Sequence, residues 1–177
     1  PGPKISGPLQ RNEGAQTPQE VCQSFSPSLD RHAIDWKTTL INDPRVNHTR
    51  DGKRDRYEFS VDNGYYLGVL ENDVRYFKVS EKACVAAVHF WAGGTSGGPY
   101  LIYSLDGNQP TLAGSVGGTK VSVFEQDGYL VSAIPIFQEN DPNCCPSGGE
   151  DTQRYVIRDK KLVAVEPLID EVANEIA

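Results

Sequence analysis

The sequence predicts an α+β domain that is mainly antiparallel β: a meander-like twisted sheet or partly open barrel, with one N-terminal and one C-terminal helix. Three observations predict it. From Tyr57 to Val165 short runs rich in Val, Ile, Tyr and Phe recur at close spacing. The connections between them carry Asp-Gly, Asn-Gly and Gly-Gly pairs, which tolerate the positive φ of tight hairpins. No strand–helix alternation appears, so a doubly wound parallel sheet is not expected.

In chain order, residues 1–20 hold four Pro, three Gly and few large apolar side chains. Such a composition does not offset its ordering entropy, so residues 1–25 are expected to form a flexible arm and residues 26–177 a single disulfide-stabilised domain. Leu29, Ala33, Trp36 and Leu40 fall on one helical stripe, with Ser28 as cap and Pro44 as stop. Trp36 on that stripe reads as a core anchor. The expected strands are Tyr57–Val61, Tyr65–Leu70, Val74–Val79, Ala83–Trp91, Tyr100–Leu105, Thr111–Val116, Lys120–Glu125, Tyr129–Phe137, Gln153–Ile157 and Lys161–Val165. Glu71-Asn72-Asp73 reads as a turn between the second and third. The closing segment Pro167–Ile176 has Pro at a suitable first helical position and Leu168, Ile169, Val172 and Ile176 on one face.

Composition excludes several functions. The chain has 177 residues and a formal net charge of −7. A general nucleic-acid binder is therefore not expected, because neutralising phosphates takes clustered Lys and Arg. The longest apolar run is about eight residues, Cys84–Trp91, far short of the roughly 20 a membrane helix needs. With Pro1 first and no Met, the N-terminus is expected to be processed or otherwise cut, and removal of an export signal is one route.

The four cysteines are Cys22, Cys84, Cys144 and Cys145. The reading favoured by disulfide geometry sends the doublet outward, one bridge each to Cys22 and Cys84, rather than closing a ring between neighbours. A bridge of that span would contribute roughly 3–5 kcal/mol by restricting the unfolded chain. Zinc would want Cys-x-x-Cys spacing or nearby His, and neither is present. Two disulfides imply an oxidising compartment: periplasm, cell surface or exterior. Asn47-His48-Thr49 would also be a glycosylation acceptor in a eukaryotic secreted chain.

Three segments are candidates for chemistry. Gly94-Thr95-Ser96-Gly97-Gly98-Pro99 resembles the nucleophile segment of chymotrypsin-like serine proteases, with Ser96 as nucleophile, His48 or His32 as base and Asp55 or Asp62 to orient it. The chain before Ser96 is short for that architecture, and Thr95 stands where such proteases place Asp. Asn47, Thr49, Asp51 and Asp55, with Gly52 between, have the alternate spacing of a calcium loop. Arg50, Lys53 and Arg54 oppose it, and a plain polar turn is the simpler reading. Asp141-Pro142-Asn143-Cys144-Cys145-Pro146-Ser147-Gly148-Gly149 is the most specific stretch, read as a disulfide knot holding a long loop to the sheet. A redox role would want a low-pKa thiol, often in Cys-x-x-Cys form, which is lacking. No cofactor is expected, calcium being the one weak candidate.

Residues 85–165 resemble a family of secreted bacterial domains of unknown function, including cyanobacterial exported proteins and the LppP/LprE-type lipoproteins of actinobacteria. The resemblance rests on an ordered series: Val88–Trp91, Gly93–Gly98, Tyr100–Tyr103, Asn108-Gln109-Pro110, Gly117–Val121, Asp127-Gly128, the Cys-Cys-Pro-Ser segment and the hairpin Arg154–Val165. Relatives of this type often carry an Asp-x-Asp-x-Asp-Gly stretch where the eroded Asn47–Asp55 stands. The resemblance implies export, a β-rich fold and no established activity. Together these readings lead to the expectation of an exported, non-enzymatic binding or accessory subunit of the bacterial envelope, with a protein partner in a membrane-associated assembly. Edge strands and the loops Gly93–Gly98 and Phe137–Gly149 are the expected contact surfaces. The alternative is a serine hydrolase using Ser96, His48 and Asp55.

Overall fold

The computed structural model describes residues 11–18, 21, 34–52, 54–61, 64–80, 83–92, 97–107 and 109–165. Among these are one short helix, α1 (Trp36–Ile41), and ten strands. The strands are β1 (Val46–Asp51), β2 (Arg54–Val61), β3 (Gly64–Val79), β4 (Ala83–Trp91), β5 (Tyr100–Ser104), β6 (Thr111–Val116), β7 (Ser122–Gln126), β8 (Tyr129–Pro135), β9 (Glu150–Arg158) and β10 (Lys161–Val165). They form two antiparallel sheets, six-stranded in the order β1 to β6 and four-stranded in the order β10-β9-β8-β7. Both are meanders. Neither closes on itself, so the architecture is two packed open sheets rather than a barrel.

The meander was expected; its details differ in three places. Glu71-Asn72-Asp73 is not a turn between two strands. β3 runs unbroken through it, and the register shifts between Leu70, opposite Phe90, and Val74, opposite Val88. The polar residues that suggest a turn serve a bulge, which also interrupts pairing and bends the strand. The stretch Asn47–Asp55, read as a polar or calcium-binding turn, is most of a hairpin: 47–51 belong to β1 and pair with β2, and the turn holds Gly52 at φ +61°. The helix is capped by Asp35 rather than Ser28. The Asp35 carboxylate accepts from the Thr38 amide at 3.1 Å and from the Thr38 hydroxyl at 2.8 Å. These bonds, the hydroxyl first, hold the Asp35 carboxyl below its usual range. Ser28 and the second expected helix, Pro167–Ile176, lie outside the described residues.

Core packing follows from the two faces of the central strands. Val85, Ala87, Phe77, Val79 and Ile102 point toward the four-stranded sheet, where Val121, Val123 and Leu130 meet them. On the opposite face Ala86, Val88, Phe90, Leu101 and Tyr103 are covered by α1 and by β1–β2. Trp36 is the expected anchor there. It is 8% exposed, donates its indole N–H to the Tyr76 hydroxyl at 2.9 Å, and lies 5.2 Å from the Tyr103 ring. Tyr57 and Phe59 of β2 reach Phe90 across β3, at 6.0 and 5.1 Å between rings. Opposite Tyr57 that strand carries Gly68, where a Cβ would meet Phe90 Cβ at 3.0 Å.

Residues 11–18 fall within the expected flexible arm, yet they are tied to both sheets. Asn12 exchanges backbone hydrogen bonds of 2.8 Å with Glu125 on the outer edge of β7. Ala15 exchanges bonds of 2.9 Å with Tyr76, on the stretch of β3 that β2 leaves unpaired. The Arg11 guanidinium sits 4.2 Å from the centre of the Phe124 ring and pairs with Glu150. Backbone pairing, not apolar burial, orders this segment, which is why its composition misleads.

Gly14 adopts φ +87°, and a Cβ there would meet the Phe77 ring at 2.8 Å. Gly14→Ala is therefore expected to destabilise the protein by about 1–3 kcal/mol in urea titrations and to speed hydrogen exchange at the Tyr76 and Glu125 amides. Gly52→Ala also adds a Cβ at positive φ, but into open space, and is expected to cost about 1 kcal/mol or less with no change at those amides.

Candidate functional site

In a meander every second connection falls at the same end. The β4–β5 loop, the β6–β7 loop and the long β8–β9 loop accordingly converge at one end of the two-sheet stack. The contacts between them confirm it. Lys120, in the β6–β7 loop at φ +57°, donates to the carbonyl of Asn143 in the β8–β9 loop and lies 5.6 Å from the Phe137 ring. Its Cα is also 3.9 Å from where a Cβ on Gly97, in the β4–β5 loop, would stand. The opposite end carries the tight turns at Asp127-Gly128 and Asp159-Lys160 and the six-residue β5–β6 connection, and is tied by the Ser80 amide donating to the Gly128 carbonyl at 2.8 Å.

The β8–β9 loop, residues 136–149, has an internal frame. Ile136 donates to Gly149 at 2.9 Å and Gly148 donates to Ile136 at 2.8 Å, closing the base. Inside, the Asp141 carboxylate accepts from the Gln138 amide at 2.7 Å, the Ser147 amide at 2.8 Å and the Ser147 hydroxyl at 2.8 Å. The Gln138 amide, followed by the Ser147 hydroxyl and amide, holds this carboxyl below its usual range. Two large apolar side chains stand exposed at this end, Trp91 at 38% and Ile136 at 43%.

The cysteine doublet sits at the tip of the same loop, and its pairing corrects the expected one. Cys144 and Cys145 are joined to each other, not to Cys22 and Cys84. Cys84, fully buried at the start of β4, is itself disulfide-bonded, and Cys22 lies outside the described residues. Pairing is decided by which backbones the fold brings close, and the doublet rides on a loop at the far end of β4 from Cys84.

The hydrolase candidates are only partly brought together. His48 and Asp55 do meet across the β1–β2 hairpin, with Nε2 at 2.7 Å from the carboxylate, and Lys37 Nζ lies 2.9 Å from the same group. Lys37 first and His48 second hold the Asp55 carboxyl below its usual range. Ser96 lies outside the described residues.

The calcium candidates do not converge. Asn47 and Thr49 are exposed on one face of β1. Asp55 faces Arg50 in the register and so lies on the opposite face, with His48. Asp51 is the last residue of β1, opposite Arg54. Among the described residues no group of three or more His, Cys, Asp or Glu side chains is arranged to hold a metal ion.

Sequence reasoning missed two polar clusters. His89 stacks on Tyr100 at 4.3 Å and lies 3.9 Å from Asp73, beside a cavity of about 260 Å³ lined by Glu13, Asp73, Arg75, Tyr100 and Ser122. Burial first, then Asp73, pushes the Tyr100 phenol up. The strand alternation of His89 was the only available signal. Under α1, Asp43 is gripped by Arg45 at 3.0 and 3.1 Å and by the Tyr103 hydroxyl at 3.3 Å. Burial opposes ionisation of Asp43, but the Arg45 bonds outweigh it and its carboxyl is held low; burial also pushes the Tyr103 phenol up.

Asp43 and Asp141 are both depressed in the folded state, so what they contribute is present above the ordinary Asp range near pH 4 and is lost as pH falls below it. Acidification from pH 5 to pH 2 is expected to release the Ser147 amide to fast exchange. Asp141→Asn is expected to do so at pH 7 with little change in Tm, since the carboxylate is at the surface. Comparison of the chain with protein-family models, with curated proteins and with solved structures returns no match.

Proposed function

We propose that this protein is a non-enzymatic binding or accessory module of the bacterial envelope or exterior, and that it contacts a protein partner through the loop end of its two-sheet scaffold. One observation carries the reading. Three loops meet at that end on a hydrogen-bonded frame, and Trp91 and Ile136 stand exposed there. Large apolar side chains exposed at the loop end of a rigid scaffold are the ordinary makings of a recognition surface. A protein partner suits this surface better than nucleic acid, given the net charge of −7. The disulfides support an oxidising compartment. The resemblance of the Cys-Cys-Pro-Ser segment to exported bacterial domains points the same way. No helix among the described residues is long and apolar enough to cross a membrane.

The His48–Asp55 bond favours one second reading, a serine hydrolase using Ser96. Thr95, where such proteases place Asp, argues against it.

Affinity capture from native envelope extract, with the wild-type chain and the Trp91→Ala/Ile136→Ser double variant as baits, tests the proposal. The same partner is expected with wild type and is expected to fall at least about tenfold with the variant, the loss typical of removing one binding hot spot. Equal recovery on both baits would remove the loop end as the surface. Labelling of Ser96 by a fluorophosphonate probe, abolished by His48→Ala, would establish the hydrolase instead.

A further inference from the structure

The Cys144–Cys145 bond does not serve the purpose for which disulfides are ordinarily kept. A disulfide stabilises chiefly by closing a loop of chain and restricting the unfolded state, and the effect scales with the residues enclosed. Here the sequence separation is one, so no loop is closed. Nor does the β8–β9 loop need it for shape. The bonds of Ile136, Gly148 and Gly149 close the base, Asp141 ties Gln138 to Ser147, Cys145 donates its amide to Pro142 at 2.9 Å, and Lys120 holds the Asn143 carbonyl. None of these bonds uses a cysteine side chain.

Two further features distinguish this bond. Both cysteines are exposed, whereas the disulfide-bonded Cys84 is fully buried. Exposed disulfides are the ones open to thiolate attack, and buried ones resist it. The Lys120 ammonium group is fixed on the residue next to Cys144, and a nearby cation favours the thiolate as leaving group.

We propose that Cys144–Cys145 is a reversible two-electron redox site whose co-substrate is a dithiol, exchanging at the tip of a loop that keeps its frame in both states. One thiolate of the dithiol attacks the Sγ of one cysteine. The S–S bond breaks, a mixed disulfide forms, and the other cysteine leaves as thiolate and takes up a proton. The second thiol of the reductant, deprotonated, attacks its own sulfur in the mixed disulfide and releases the first cysteine, which is protonated in turn. The dithiol ends as a disulfide, and two electrons and two protons reside on Cys144 and Cys145. Re-oxidation is the reverse. The two thiols remain on neighbouring residues, so closure needs no search through the chain.

The test uses the full chain and graded ratios of reduced to oxidised dithiothreitol, with alkylation, peptide mapping and a thermal melt at each ratio. Cys144 and Cys145 are expected to become alkylated together at a lower ratio than Cys84, with Tm moving by less than about 2 °C. Return to oxidised dithiothreitol is expected to restore the same pair. The Cys144→Ser/Cys145→Ser variant is expected to match the wild-type Tm and to lose the low-ratio step. The proposal is overturned if the doublet stays closed until Cys84 is reduced or the chain melts. It is equally overturned if reduction, or the double variant, lowers Tm by more than that amount. Re-oxidation into linked dimers in place of the original pair would overturn it as well. None of these readouts involves a binding partner, so its outcome is separate from that of the capture experiment.

Discussion

β4 buries both of its faces, with Ala83 through Val88 shielded without interruption. That constraint shapes everything around it. A strand apolar on both sides needs cover on both sides, and in a meander the cover must come from chain made earlier and later. The later chain supplies the second sheet through Val121, Val123 and Leu130. The earlier chain supplies α1 and the β1–β2 hairpin through Trp36, Leu40, Tyr57 and Phe59. The helix is six residues long and contributes Trp36 and Leu40 to that cover.

The same constraint separates the two ends by character. Where hairpins are tight, as at Asp127-Gly128 and Asp159-Lys160, the chain has no residues to spare for contact. The two longest connections between strands, β4 to β5 and β8 to β9, lie at the other end. Lys120 then links neighbouring loops that would otherwise stand apart: its ammonium meets one, and its backbone approaches the other. A residue that reads in the sequence as the first of a strand, Lys120–Glu125, lies instead in the loop before β7 and becomes the junction of the candidate surface.

Much of this was legible in the sequence. The bounds of β4, β6 and β10 follow from apolar runs set between turn residues. Trp36 falls on its stripe and in the core. The two loops expected to carry contacts share an end, which strict up-and-down order alone implies. Three things were hidden, each for a physical reason. Edge strand β1 is mostly polar, so its alternation imitates a ligand-bearing turn. A bulge and a turn draw on the same residues, so Glu71-Asn72-Asp73 did not separate one strand from two. Cystine pairing depends on distances that only the folded chain defines, and Cys144 and Cys145 met none but each other.

The bridge made by Asn12 and Ala15 has a consequence for the order of folding. Both residues precede their partners by most of a domain: Ala15 waits for Tyr76, and Asn12 waits for Glu125. A chain emerging from its N-terminus therefore carries Ala15 unpaired until β3 has been synthesised and Asn12 unpaired until β7 has been. Until this segment docks, the stretch of β3 that β2 leaves unpaired is an open template for other strands. Sealing that edge is a late event that joins distant parts of the chain, so it belongs to the slow, non-local class of contacts. The seam that locks the two sheets together is thus also where a nascent chain is most exposed to pairing with the wrong neighbour.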